Sequence, residues 1–148
     1  EDAVGELKKE LETLKELDGE RCARLIGHGK KDGDTFLVLN YFPGGTWQSK
    51  IEEGSVKRSL FKKKQPSVGL SFPQRLEYCL QLSQALFYLH HECKADQSVM
   101  FRDLKPQNIC FDAEGPSGRV VLIDFSMAKF IDRNSKAQLP PEKTPHRS

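Results

Sequence analysis

Val4, Leu7, Leu11, Leu14 and Leu17 recur at steps of three and four, which puts them on one side of a helix. The pattern predicts a helix over roughly 4–17, ended by Asp18-Gly19, and is too short a run for a coiled coil. RCARLIGHG, residues 21–29, reads as a strand, and Lys31-Asp32-Gly33-Asp34 as a hairpin turn. FLVLNY, residues 36–41, reads as a buried strand broken by Pro43-Gly44-Gly45. A mixed polar and basic stretch runs to about residue 71, with a short helix near 46–53. Pro73 stands near the start of the next helix, which runs to about His91. Leu76, Leu80, Ser83, Leu86 and Leu89 or His90 mark its inner face. Cys93 to Ser98 reads as a polar loop. Ile109-Cys110-Phe111 and Val120-Val121-Leu122-Ile123 read as short strands joined by a turn-rich connector, 113–118. After Phe130 the apolar pattern fades into a polar, Pro-rich tail. Helix and strand mix without regular βαβ alternation, which predicts an α+β fold.

The chain has 148 residues, 37% apolar and 30% charged, enough for one globular domain with a modest core. A net charge of +2 gives no argument for nucleic acid as a partner. Lys57, Arg58, Lys62, Lys63 and Lys64 form the one basic cluster. Lacking interleaved aromatics, it reads as a solvated loop before it reads as a phosphate or acidic-surface site. Cys22, Cys79, Cys93 and Cys110 include no CxxC pair, which argues against zinc. Cys79 in a helical pattern and Cys110 in an apolar run read as buried reduced thiols, so the expected setting is intracellular, cytoplasmic or nuclear. No apolar run approaches the length of a membrane span. The chain opens without Met, directly in a helical pattern, and reads as a fragment.

The chemistry concentrates in FRDLKPQN, residues 101–108. Asp103 can accept or orient a hydroxyl proton. Lys105 can neutralise a transferring phosphoryl group. Asn108 offers a neutral oxygen to Mg²⁺, and Asp124, at the end of the apolar run VVLI, adds a charged one. Carboxylate, ammonium and amide arranged around a cation and a phosphate describe phosphoryl transfer.

These residues resemble the catalytic loop and magnesium-binding motif of eukaryotic protein kinases. The family pattern H-R-D-L-K-x-x-N, then D-F-G, is met at Arg102, Asp103, Leu104, Lys105 and Asn108, then Asp124 and Phe125. Lys at the second position after the Asp is similar to the Ser/Thr group. Glu10, with Leu14 and Leu17, resembles the regulatory helix αC and its ion-pairing glutamate. ARLIGHG is similar to the family's fourth strand. FLVLNYFPGG is similar to the fifth strand and hinge, and LQLSQALFYLHHE to helix αE.

The resemblance implies an incomplete two-lobed kinase fold over 1–148. Residues 1–39 would be an N-lobe remnant, 40–45 the hinge, 46–130 part of the C-lobe, and 131–148 the start of the activation segment and tail. It implies ATP and Mg²⁺ as cofactors and a protein Ser or Thr as substrate. Asp103 would be the catalytic aspartate, Lys105 would meet the γ-phosphate, and Asn108 and Asp124 would hold Mg²⁺. Leu39 would be the gatekeeper. The backbones of Asn40 and Phe42 would meet the adenine edge, with Cys110 packed beneath it. Leu14, Leu25, Phe101 and Phe125 would stack as a spine between the lobes. Arg102 would bind an activation-segment phosphate, for which Ser135 and Thr144 are candidate sites. Pro140-Pro141-Glu142 mimics A-P-E, but Lys143-Thr144-Pro145 is similar to the G-T-P just before it, which places Thr144 where substrate docks.

Several features depart from the family pattern. Phe101 stands where the family has His, a packing position. Ser126 stands in place of the Gly of D-F-G, where a side chain restricts positive φ by about 1 kcal/mol. No G-x-G-x-x-G or V-A-I-K precedes Glu10, so this chain holds no lysine partner for it. The stretches 54–71, His90 to Asp103 (with CKADQS) and 113–118 are long, as surface insertions can be. A pseudokinase or scaffold without turnover is the main rival reading. A small-molecule phosphotransferase is the third, disfavoured by Lys105 and the kinase-like hinge.

Overall fold

The computed structural model describes residues 3–17, 19–56 and 71–134. The basic cluster at 57–64, Ser135, Thr144 and the Pro-rich tail lie outside them.

Helix α1 (Ala3–Glu16) forms where the three–four repeat predicted it. Leu14 and, just past the helix, Leu17 are buried, while Val4 at the open end is exposed. Strands β1 (Leu25–Lys31) and β2 (Asp34–Leu39) pair antiparallel around the predicted turn, with Asp32 and Gly33 at positive φ. The FLVL run is not a buried strand. Phe36 and Val38 are exposed, whereas Leu37 and Leu39 pack against the core. A two-stranded sheet against one helix covers a single face, so alternate side chains remain in solvent.

Helix α2 (Trp47–Val56) follows the Pro43-Gly44-Gly45 break. The break is stitched to strand β4 (Ile109–Phe111): Gly44 N–H donates to Phe111 O at 3.1 Å, and Phe111 N–H to Gly45 O at 3.0 Å. A Cβ on Gly44 would lie 2.2 Å from the Ala113 carbonyl oxygen. Gly44→Ala is therefore expected to cost about 1–3 kcal/mol, as overpacked sites do, read as a lower thermal midpoint. An unchanged midpoint would mean that the loop moves freely off β4.

Helix α3 (Phe72–Phe87) starts at a capping box: Gln74 N–H donates to Ser71 Oγ, and Ser71 N–H to Gln74 Oε1 at 2.8 Å. It widens into a π-turn over Tyr88–Glu92, with Cys93 N–H reaching Tyr88 O at 2.9 Å. Its inner face keeps the predicted Leu86 and Leu89 but not Leu76, Leu80 or Ser83. Tyr78, Ala85 and Leu89 are buried, Leu82 and Leu86 pack at the core edge, and Leu76 and Leu80 are exposed. The helix carries two apolar stripes. The one bearing Tyr78 packs, because its ring meets Phe111 at 4.6 Å and Trp47 at 6.2 Å. Cys79 falls on the outer side and is exposed, against the expectation of a buried thiol. Cys22 and Cys110 are buried.

The predicted polar loop 93–98 runs into a strand. Strand β3 (Gln97–Met100) pairs antiparallel with strand β6 (Lys129–Asp132). Arg133 ties the pair to the end of α3, donating through Nη2 to His90 O at 2.9 Å, while Ser98 Oγ–H donates to the same oxygen at 2.7 Å. Strand β4 pairs antiparallel with strand β5 (Val120–Leu122), and every residue of the two strands is buried. Gln81 Oε1 accepts from Val120 N–H at 2.8 Å, which fixes α3 beside β5.

Candidate active site

The β4–β5 hairpin sets the site. Asn108 immediately precedes β4, Asp124 lies two residues beyond β5, and the register pairs Ile109 with Leu122. Ile123 N–H donates to Asn108 O at 3.0 Å, so the hairpin brings the backbones beside both candidate cation ligands together. A 3₁₀ turn, Pro106–Asn108, closes on Lys105 O and turns the loop back on itself.

Within that loop Asp103 Oδ2 accepts from Lys105 Nζ at 2.6 Å and from Asn108 Nδ2 at 2.8 Å. Asn108 Nδ2 also reaches Asp103 O at 3.1 Å. Asp103 Oδ1 accepts no hydrogen bond among the described residues. The hydrogen bond from Lys105 holds the Asp103 carboxyl below the usual carboxylate range. Lys105 is raised in turn by that bond, and by the charges of Asp103 and Asp124. Asp103 is thus a carboxylate with one oxygen anchored and one available to a hydroxyl.

Asp124 sits in the left-handed region at φ 62°. Its Oδ1 accepts from Ser126 Oγ–H at 2.7 Å and, weakly, from Ser126 N–H at 3.4 Å. Its Oδ2 accepts no hydrogen bond among the described residues. Because Asn108 gives its amide nitrogen to Asp103, its side-chain oxygen is left as a donor atom. One charged and one neutral hard oxygen, held by one hairpin, fit Mg²⁺.

Glu10 reaches this motif from α1, with Oε1 accepting from Phe125 N–H at 3.2 Å. Burial pushes the Glu10 carboxyl up, and the charge of Asp124 adds to the rise, while the bond from Phe125 opposes it. A raised carboxyl favours its neutral form, so the fold gains from Glu10 at low pH and loses that gain as pH rises through its folded pKa. Glu10→Gln is therefore expected to raise the thermal midpoint at pH 7 and leave it unchanged at pH 4. A lower midpoint at pH 7 would mean that a cation pairs with Glu10.

Phe101 and Phe125 meet edge to face at 5.1 Å and are buried with Leu14, while Leu25 and Leu39 pack against the same core. Phe in place of His at 101 is thus a buried packing ring. At the β2 exit, Asn40 N–H donates to Arg24 O at 3.2 Å, and Asn40 Oδ1 accepts from Arg24 N–H at 2.8 Å. That clasp leaves the Asn40 carbonyl and the Phe42 N–H without a hydrogen bond among the described residues. Cys110 is buried on β4 and bridges Thr46, and burial raises its thiol. Arg102 is exposed and left-handed at φ 68°. Its expected phosphosite partner, Thr144, lies outside the described residues. Sequence reasoning missed the Asn40–Arg24 clasp and the Ser126 hydroxyl. The second had a visible signal, a hydroxyl residue where the motif has Gly.

Comparison with known proteins identifies the family. The protein kinase domain family model matches residues 1–145. The chain is 34% identical over 137 residues, 93% of its length, to "Probable L-type lectin-domain containing receptor kinase I.5" of Arabidopsis thaliana. It is 31% identical over 133 residues, 90% of its length, to "L-type lectin-domain containing receptor kinase IV.1" of the same plant. These matches cover 18% and 17% of the relatives, so the chain spans under a fifth of their length. The relatives are receptor kinases by name, which overturns the cytoplasmic or nuclear assignment. That assignment rested on thiols and hydropathy within 148 residues, which report on this segment alone. Among the described residues no helix is long and apolar enough to cross a membrane. Motif order, site geometry and family match converge: the chain belongs to the eukaryotic protein kinase family and carries part of its catalytic domain.

Proposed function

We propose that the protein carrying this chain is a Ser/Thr protein kinase that transfers the γ-phosphoryl group of ATP to a protein Ser or Thr hydroxyl with Mg²⁺. The observation that carries this reading is the Asp103 carboxylate, anchored on one oxygen by Lys105 and Asn108 and open on the other. Asp103 Oδ1 orients the attacking hydroxyl and takes its proton. Lys105 stands beside it to offset charge on the transferring group. Asn108 and Asp124 hold Mg²⁺, which when bound offsets negative charge on the phosphates. The Asn40 carbonyl and Phe42 N–H meet the adenine edge, with Leu39 behind it and Cys110 beneath.

The same reading assigns residues 1–39 to the N-lobe, 40–45 to the hinge, 46–130 to the C-lobe and 131–148 to the activation segment. Glu10 would pair with a lysine supplied from outside this chain, and Arg102 with a phosphate on the activation segment, Thr144 being one candidate. Lys105 at the second position after Asp103 supports Ser/Thr over Tyr.

The test is phosphotransfer by the full-length protein to Ser, Thr and Tyr peptides of otherwise identical sequence, with aminoglycoside and choline as controls. Labelled Ser or Thr peptide is expected. Transfer to Tyr peptide or to a small molecule alone would overturn the specificity. Metal-dependent ATP binding with no transfer to any acceptor would identify a scaffold.

A further inference from the structure

The geometry points to Ser126 as a positioning residue that holds Asp124 in a single-oxygen, Mg²⁺-selective pose; this rests on the proposed role of Asp124 as a cation ligand. Sequence alone makes Ser126 look like a cost, a side chain where the motif has Gly. The structure removes that cost. Positive φ falls on Asp32, Arg102 and Asp124 among non-glycine residues, and not on Ser126. The left-handed turn of the motif is taken by Asp124 itself, one residue type that tolerates it through local hydrogen bonding.

That local bonding comes from Ser126. Its hydroxyl donates to Asp124 Oδ1 at 2.7 Å, and its backbone N–H approaches the same oxygen at 3.4 Å. Glycine could supply only the longer contact. Next door, Phe125 is buried against Phe101, and its N–H is bound by Glu10 at 3.2 Å. The backbone carrying Ser126 is therefore anchored on its N-terminal side. A fixed donor on Oδ1 stops the carboxylate from rotating and presents Oδ2.

The consequence is a cation preference. Mg²⁺ demands near-octahedral geometry and takes carboxylates through one oxygen, whereas Ca²⁺ readily takes both oxygens. A carboxylate with one oxygen engaged by a hydroxyl is preset for the first and hindered for the second. Ser126 so acts on metal choice without touching substrate.

The test is calorimetric binding of a non-hydrolysable ATP analogue to the full-length protein, with Mg²⁺ and with Ca²⁺. Ser126→Ala is expected to weaken binding with Mg²⁺ about fivefold, the effect of one hydrogen bond, and to leave binding with Ca²⁺ unchanged or tighter. Ser126→Thr keeps the hydroxyl and should keep the Mg²⁺-to-Ca²⁺ ratio of the parent. Ser126→Gly, the residue of the family motif, gives a second loss-of-hydroxyl variant if Ser126→Ala folds poorly. Asp124→Ala is the control for the underlying reading. If Asp124→Ala weakens binding but Ser126→Ala and Ser126→Gly keep the parent ratio, the positioning role is wrong and the metal role stands. If Asp124→Ala leaves Mg²⁺-dependent affinity intact, the metal role fails and the positioning role with it.

Discussion

Asp103→Asn in the full-length protein is expected to lower kcat by about 10²–10⁴-fold, the range for loss of a general base, while ATP affinity survives. The change removes charge and proton affinity but little volume. A carboxamide at 103 can still accept from Lys105 and Asn108 through its oxygen, so the loop should keep its shape. What it loses is the free oxygen, Oδ1, which among the described residues is not spent on any internal bond. Lys105 holds the parent carboxyl below its ordinary range. Asp103 is therefore ionised across neutral pH, and its protonation should limit activity only in acid, below the usual carboxylate range. Steady-state kinetics with separate ATP and peptide titrations check both parts. Undiminished turnover would remove Asp103 from the chemistry, and a matched loss of ATP affinity would mean that the loop had collapsed.

Phe125→Ala should have the largest effect on stability, about 3–5 kcal/mol, as deletion of a buried aromatic ring typically costs. Phe125 is 0% exposed and meets Phe101 edge to face at 5.1 Å, and its N–H is the group that Glu10 binds. Its ring anchors the segment that carries both Asp124 and Ser126. The thermal midpoint should fall steeply, and nucleotide affinity should weaken in whatever fraction stays folded. A midpoint within a degree or two of the parent would mean that the ring does not hold the motif to α1. Phe125→Leu, which keeps most of the apolar volume, should recover a large part of the loss.

The clustering of the candidate site was legible because it is local. Asp103, Lys105 and Asn108 lie within six residues, and their hydrogen bonds to one another close inside a single loop. Asp124 follows one short hairpin later, and its strands were readable as apolar runs between turn residues. Helix α1 and the β1–β2 hairpin were legible for the same reason, since three–four spacing and a Lys-Asp-Gly-Asp turn are short-range signals.

What sequence could not settle was which of two apolar faces packs. Helix α3 offers Leu76 and Leu80 on one side and Tyr78, Ala85 and Leu89 on another, and periodicity alone does not choose between them. The choice came from rings contributed by distant elements, Trp47 and Phe111. Strand β3 was missed because its partner, β6, lies some thirty residues away, a long-range pairing that no local pattern announces. The Cys79 reading failed with the helix face, since turning α3 carries that thiol outward. Ser126 was visible all along, but as a departure from a motif. Its bond to Asp124 became apparent only once the left-handed turn was seen to fall on Asp124 and not on Ser126.

The proposed role of Asp103 as catalytic base is tested by transfer of radiolabelled γ-phosphate from Mg·ATP to a Ser/Thr peptide library by the full-length protein, run beside its Asp103→Asn variant. Label is expected on Ser and Thr peptides with the parent, and near-background label with the variant at the same ATP occupancy. Equal labelling by both, or no labelling by the parent under conditions where it binds Mg·ATP, would contradict that role.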